Sequence, residues 1–300
     1  MRFCKLKHIR VTRQTSEFVA LFFCLFASHS LMAQTTVAIF SQSDDLALRT
    51  AKDVQVLLSE QSVNSSVFTD LSEFKGSVQG GDQRLLAIGD KACQQVSVAI
   101  KKTDVLCGLI SHHYQPGDIG LQRITYLPLE VPAPYFVELA KLLVPNLSNM
   151  GVLLGQASHH RANFYQEISQ SNGIKPQLCL LDEKANPIKT LDASMRVSDI
   201  FMVLPDEVVF NRATAPWVLQ LGMRYRIPVL AYSENYVNAG ALASLYQSRQ
   251  DLANNLVSAL FERQASLAFS LALNASVARN LGIKLDSVDA YLLALQEAER

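Results

Sequence analysis

Little in this 300-residue chain points to catalysis or to a nucleic-acid surface. Charged side chains make up only 18% of it and cancel to a formal net charge of zero, so the basic excess that a phosphate backbone requires is missing. No GxSxG, GxGxxG or GxxxxGK[ST] stretch occurs. That excludes the turns by which a nucleophilic serine is exposed or a phosphate is cradled. Gly80-Gly81-Asp82 precedes an apolar run instead of opening a helix and reads as a turn. The adjacent acids Asp44/Asp45 and Asp182/Glu183 read as caps or turn residues, not as a general acid/base pair. Cysteine is sparse, with five in all and no CxxC spacing, which removes the usual zinc frameworks. Low-complexity segments, basic runs and heptads are absent as well.

What is present begins with a leader. Five basic side chains (Arg2, Lys5, Lys7, Arg10, Arg13), an apolar run over residues 18–27 and a small-residue ending at Ala33 make the tripartite pattern of a secretory signal peptide. The apolar run falls short of the roughly twenty residues that a membrane-spanning helix needs. Cleavage is expected after Ala33, with the mature chain in the periplasm. Cys24 follows Phe22-Phe23, where lipidation would need a small residue, so no lipid anchor is expected. With Glu17 the leader carries a net +4, which leaves the remainder near −4. Cys93, Cys107 and Cys179 lie beyond it, and an oxidising compartment permits one disulfide. Cys93 and Cys107 are the closest pair in sequence, but spacing alone leaves the pairing open.

From Thr36 onward, short β-branched runs alternate with longer stretches of helical periodicity. Strands are expected over 36–40, 63–68, 85–89 and 105–110, with a helix ending near Glu60 and another over 91–101. A second series follows, with strands over 150–154, 175–181, 199–204, 227–232, 241–246 and 267–273. Helices over 134–144, 158–171, 187–195, 215–225, 249–264, 276–281 and 287–299 accompany them. Apolar strands alternating with helices imply parallel sheets covered on both faces. The fold class is α/β, with two Rossmann-like lobes, each a parallel sheet flanked by helices, and a ligand cleft between them. Roughly 265 residues suit two such lobes better than one core. Residues 111–131, with two prolines and two glycines, interrupt the rhythm and read as the first crossing between lobes.

Ligands of open parallel sheets sit beyond the carboxyl ends of the strands, so the residues after each strand form the candidate set. It comprises Ser41, Asp90 and His112 in the first half and Gln156, Ser158, Asp206, Ser233 and Glu234 in the second. Hydroxyls, amides, carboxylates and imidazoles suit a small polar or zwitterionic solute held by hydrogen bonds. Helix capping is the competing role for Asp90 and Ser158. His112/His113 and His159/His160 form the metal alternative, since imidazole ligates zinc, copper or nickel. Adjacent loop residues point apart, so at most one of each pair would reach a shared ion.

Several segments resemble the substrate-binding proteins of ABC transporters, in particular those taking aromatic amino acids and similar solutes. They are Phe201-Met202-Val203-Leu204-Pro205-Asp206, Arg226-Ile227-Pro228-Val229-Leu230-Ala231 and Asn238-Ala239-Gly240-Ala241-Leu242-Ala243. Glu138-Leu139-Ala140-Lys141-Leu142-Leu143-Val144-Pro145 and Ala278-Arg279-Asn280-Leu281-Gly282-Ile283 agree, and together they span most of residues 135–290. The resemblance implies the type I periplasmic-binding-protein architecture, with one lobe from 34–122 plus 236–266 and the other from 123–235 plus 267–300. It also implies a non-enzymatic monomer without cofactor that closes on a solute and delivers it to an inner-membrane ABC permease. Asp206 would face a ligand amine, with Gln156 and Ser158 as hydrogen-bonding residues. In the first half the pattern departs. Gly89-Asp90 stands for Gly-Thr, Ser111-His112-His113-Tyr114 for Asp-Pro, and Arg123-Ile124-Thr125-Tyr126 lies near the place of Asn-Val-Thr-Gly. Those loops would also allow a periplasmic sensor or accessory subunit that binds solute without transport.

Overall fold

The computed structural model describes residues 35–78, 82–101, 103–111, 123–156, 158–181, 186–206, 209–210, 213–262, 267–286 and 288. The leader, His112, His113 and most of the helix expected over 287–299 lie outside them.

The first sheet is built from β1 (Thr36–Ser41), β2 (Asn64–Phe68), β3 (Arg84–Ile88), β4 (Val105–Ile110) and β5 (Ile124–Pro128). All pair parallel, in the order β2-β1-β3-β4-β5. Between them run α1 (Asp45–Glu60), α2 (Leu71–Ser77) and α3 (Asp90–Ala99). Asp44 starts α1 by accepting a hydrogen bond from the Ala47 N–H at 3.0 Å. Ala47, Ala51, Val54 and Leu58 recur at helical spacing and give the helix its buried stripe. Strand side chains alternate between two cores. Val37 and Ile39 point to the layer of α1, and Ala38 and Phe40 to the layer holding Phe74 of α2 and Val96 of α3. Apolar character at every position, and not at every second one, is what burial of both faces demands.

The second sheet contains β6 (Asn149–Leu154), β7 (Lys175–Leu180), β8 (Ile200–Met202), β9 (Val229–Ala231), β10 (Ala243–Tyr246) and β11 (Ser270–Leu273). Its order is β11-β10-β9-β8-β6-β7, with β11 antiparallel to β10 and the other pairs parallel. The helices are α4 (Ala133–Leu143), α5 (Ala162–Ser171), α6 (Pro187–Arg196), α7 (Ala215–Tyr225), α8 (Glu234–Ala239), α9 (Arg249–Phe261) and α10 (Ala275–Leu281). A 3-10 turn, His159–Arg161, precedes α5. Met150, Val152 and Leu154 pack into one core with Phe136 and Val137 of α4 and Tyr165 of α5. Leu153 and Phe201 pack into the other, with Met195 of α6 and Val218 of α7. Of the eleven helices and turns and eleven strands among the described residues, α9 alone returns to the first sheet, covering α1, β4 and β5.

Sequence reading and structure differ at the crossings. Residues 123–131, expected at the start of the second lobe, include β5, which extends the first sheet. Ala243–Tyr246, expected with the first lobe, is β10 and pairs with β9 and β11 of the second. β5 is short and precedes a crossing, so it shows no periodicity that could be separated from a linker; β10 matches the strand expected over 241–246 and differs only in the sheet it joins. Helices α2 and α8 are also additions, too short to display an amphipathic repeat.

The chain therefore passes between sheets at three places: after β5, after β10 and after α9. One buried polar knot joins them. Asn255 of α9, 2% exposed, donates from Nδ2 to Gln247 Oε1 at 2.7 Å and to the Ala268 carbonyl at 2.8 Å, and its Oδ1 accepts from the Ala268 N–H at 2.8 Å. Gln247 Nε2 in turn donates to the carbonyls of Pro128 and Leu129, each at 3.0 Å. Beside it Asp251 closes a capping box with Ser248 and accepts from Ser270 Oγ at 2.7 Å.

Cys93 of α3 and Cys107 of β4 are joined by a disulfide across a separation of 14 residues. Closing a loop of that length contributes about 3 kcal/mol through the unfolded state. Replacing both cysteines with serine should lower the urea midpoint and, because the uncrosslinked unfolded chain expands, steepen the slope slightly, and reductant should do the same to the parent chain. Tyr165 supplies a second test. Burial pushes its phenol from 10.0 up to about 12, partly offset by Arg161. The unfolded chain then loses this proton first. Stability is therefore complete below about pH 10 and falls as pH rises through about 12, and Tyr165→Phe should flatten that slope in unfolding titrations.

Candidate functional site

The carboxyl ends of β4 and β5, the crossing after β5 and the turn after β6 converge on a cavity of about 260 Å³. Ile110, Val131 and Phe164 supply apolar wall; Ser111, Tyr126, Glu130 and Arg161 supply polar groups. The lining draws on the first sheet, the crossing after β5 and the second lobe, as a cleft between lobes must. A larger groove of about 1180 Å³ runs past Thr35, Arg84, Val105 and Thr125. Those residues lie at the amino ends of the first sheet's strands, where a parallel sheet presents no ligand-facing loops, so size alone does not mark the site.

Each candidate residue after a strand has a definite place except His112, which lies outside the described residues. Ser41, buried at the end of β1, donates to the Gln42 carbonyl at 2.9 Å. Gln42 caps α3 from a distance, its Oε1 accepting from the Lys91 N–H at 3.3 Å. Gly89 makes that possible. Its φ of +99° is open to glycine, and a Cβ there would stand 2.3 Å from Gln42 Oε1. Asp90 is not the cap of α3. Its carboxylate instead accepts from the Ser111 N–H at 2.9 Å and from the Ser111 hydroxyl, and so pins the end of β4. Asp90 therefore stands one hydrogen bond behind the cavity wall.

Asp206 is 1% exposed and faces inward. Its Oδ2 accepts from Ser158 Oγ at 2.5 Å and from the Gly155 N–H at 3.1 Å, and Oδ1 accepts from the Val209 N–H at 3.2 Å. Ser158, expected as a helix cap, makes no capping bond because its hydroxyl is spent on this carboxylate. Gly155 allows the approach, since a Cβ would meet Asp206 Oδ2 at 2.6 Å. The carboxylate ties the loop after β6 to the loop after β8. Gln156 is exposed beside it. Ser233 precedes α8 without capping it, and Glu234 is exposed near Tyr246, whose phenol is pushed up by burial first and then by that carboxylate.

Among the described candidates, then, none forms part of the cavity lining itself, although Asp90 and Ser158 brace it from two sides. Arg161 and Glu130, which do line it, were not singled out from the sequence. A signal existed. Glu130 is an isolated charge in the apolar, proline-rich crossing Leu129-Glu130-Val131-Pro132, and Arg161 follows directly on the loop after β6. Arg161 Nη1 stands 3.7 Å from Glu130 Oε2, and its guanidinium lies 5.1 Å from the centre of the Tyr165 ring. The histidine alternative is half outside the described residues. His159 Nε2 is buried without a hydrogen-bond partner, and among the described residues no group of three His, Cys, Asp or Glu side chains is placed to hold a metal.

The loop tie predicts a stability cost. Asp206→Ala leaves Ser158, Gly155 and Val209 without their carboxylate acceptor and should destabilise the chain by about 2–4 kcal/mol in denaturant titrations. Ser158→Ala should cost less, because Gly155 and Val209 keep their acceptor.

No protein-family model matches the chain, and no curated protein matches it in sequence. Solved structures do match in fold. The ligand-free, open structure of a substrate binding protein with adhesive properties from Clostridium difficile has a TM-score of 0.63 at 16% identity, covering 84% of this chain and 95% of that one. The ABC domain in complex with L-Trp from Streptococcus pneumonia has 0.51 at 18%, with 84% and 96% covered. An arabinose binding protein from Geobacillus stearothermophilus has 0.52 at 11%, with 82% and 98% covered. At these identities the likeness concerns architecture, and the chain has the two-lobed fold of type I periplasmic binding proteins.

Proposed function

We propose that this chain is a solute-binding protein that takes a small polar or zwitterionic solute, amino-acid-like in size, between its lobes. Closure of the lobes would hold the solute for delivery to an inner-membrane ABC permease. The observation that carries this reading is the position of the cavity. It opens at the carboxyl ends of parallel strands, takes its walls from both lobes, and includes the crossing after β5, which the hydrogen-bonded knot ties to the other two crossings. A solute there biases an open-closed equilibrium by touching both halves at once.

Binding without chemistry agrees with the strand-end loops. Asp90, Ser158 and Asp206 are engaged in bracing those loops, not poised as nucleophile or base. We infer that Asp206 positions the loop after β6 instead of meeting the ligand. The leader and the Cys93–Cys107 disulfide both favour the periplasm, where oxidising conditions let such a bond persist. No helix among the described residues is long and apolar enough to cross a membrane.

Thermal unfolding of the mature chain against amino acids, sugars, nucleosides and short peptides tests the reading. A true solute at a hundredfold excess over its dissociation constant should add about 2.7 kcal/mol and a readable rise in midpoint. A chain indifferent to every solute in the panel would overturn it.

A further inference from the structure

Polar groups at the strand ends divide into two sets. Asp90, Ser158, Asp206 and Gln42 are paired inside the protein. Drawing any of them onto a ligand would strand a buried partner, at a cost similar to the gain. The turn His159–Arg161 differs. Arg161 has a side chain only 16% exposed, and its Nη1 is buried with no hydrogen-bond partner. Glu130 Oε2, at 3.7 Å, is too far to accept from it. Two residues earlier His159 Nε2 is also buried and unpartnered. The Tyr165 ring meanwhile fixes the guanidinium without consuming an N–H. A guanidinium held in place but short of an acceptor is prepared for one that arrives from outside.

We propose that Arg161 anchors an acidic group of the solute and that this group is a carboxylate. The assignment rests on the binding role above and narrows it. A planar guanidinium and a carboxylate form charge-assisted hydrogen bonds of well-defined geometry. The neighbouring Glu130 sets the limit on charge, because a phosphate dianion beside it meets stronger repulsion than a monoanion. A cavity of about 260 Å³ walled by Ile110, Val131 and Phe164 leaves room for a compact apolar body behind that group. Glu130 acts as a brake on anion affinity, and a cationic group on the same solute would release it.

The test follows the side-chain N–H resonances of Arg161 in the ¹⁵N-arginine-labelled mature chain, identified by their absence in Arg161→Gln. Isobutyrate, isobutyramide and inorganic phosphate are the probes. Isobutyrate should shift those resonances saturably, with a dissociation constant in the millimolar range. Isobutyramide, of the same shape without the charge, should not, and phosphate should bind more weakly. Affinity for isobutyrate, read by calorimetry, should fall roughly ten- to a hundredfold in Arg161→Gln. It should rise severalfold in Glu130→Gln, a variant that keeps the guanidinium should Arg161→Gln fail to fold. Equal response to acid and amide, no saturation with isobutyrate, or unchanged affinity in Arg161→Gln would each overturn the assignment. The two readings fail separately. A panel solute that binds Arg161→Gln as tightly as the parent chain removes the anchor and keeps the binding protein. Isobutyrate saturation with a silent panel does the reverse.

Discussion

The hydrogen-bond knot at Asn255 and Gln247 is the constraint on which the two-lobed arrangement depends. Each sheet could bury its own apolar faces without the other, so hydrophobic burial alone sets no relation between them. The three crossing segments do, and their backbone groups cannot all be paired by sheet or helix. Gln247 takes two of the stranded carbonyls and Asn255 takes a carbonyl and an N–H, so the segments are held to one another through side-chain amides. A joint of this kind is firm in its pairing yet made of few bonds, which suits a hinge.

Parallel topology does the rest of the placing. Successive strands deliver their loops to one edge, and the crossing after β5 brings the edges of both sheets toward the same space. The residues there had to satisfy buried backbone ends before they could serve any ligand. Asp90 and Asp206 illustrate the outcome, since each carboxylate stitches one loop to the next. Short of partners in the 3-10 turn after β6 are His159 Nε2 and Arg161 Nη1, and it is at Arg161 that a solute would gain the most.

Much of the architecture was legible because both sheets are buried on both faces. Runs such as Val37-Ala38-Ile39-Phe40 and Gly151-Val152-Leu153-Leu154 have to be apolar at every position, and Asp44 marks the start of α1 by chemistry that acts within three residues. Those are local requirements, so a sequence displays them. Strand β5 obeys no such local rule: it is defined by its pairing with β4, and the sheet that β10 joins is likewise set by its pairing with β9 and β11.

The same division runs through the site. By itself the sequence determined two α/β series of parallel strands, the strand ends as the place for ligands, and the residue types available there. Only the tertiary structure decided which of those residues are already occupied. Whether Asp206 meets a solute or Ser158 depends on a contact 48 positions away. That Arg161 Nη1 lacks a hydrogen-bond acceptor is likewise a fact about what packs around it. Hydrogen-bond satisfaction is a property of assembled neighbours, and it has no signature in linear order.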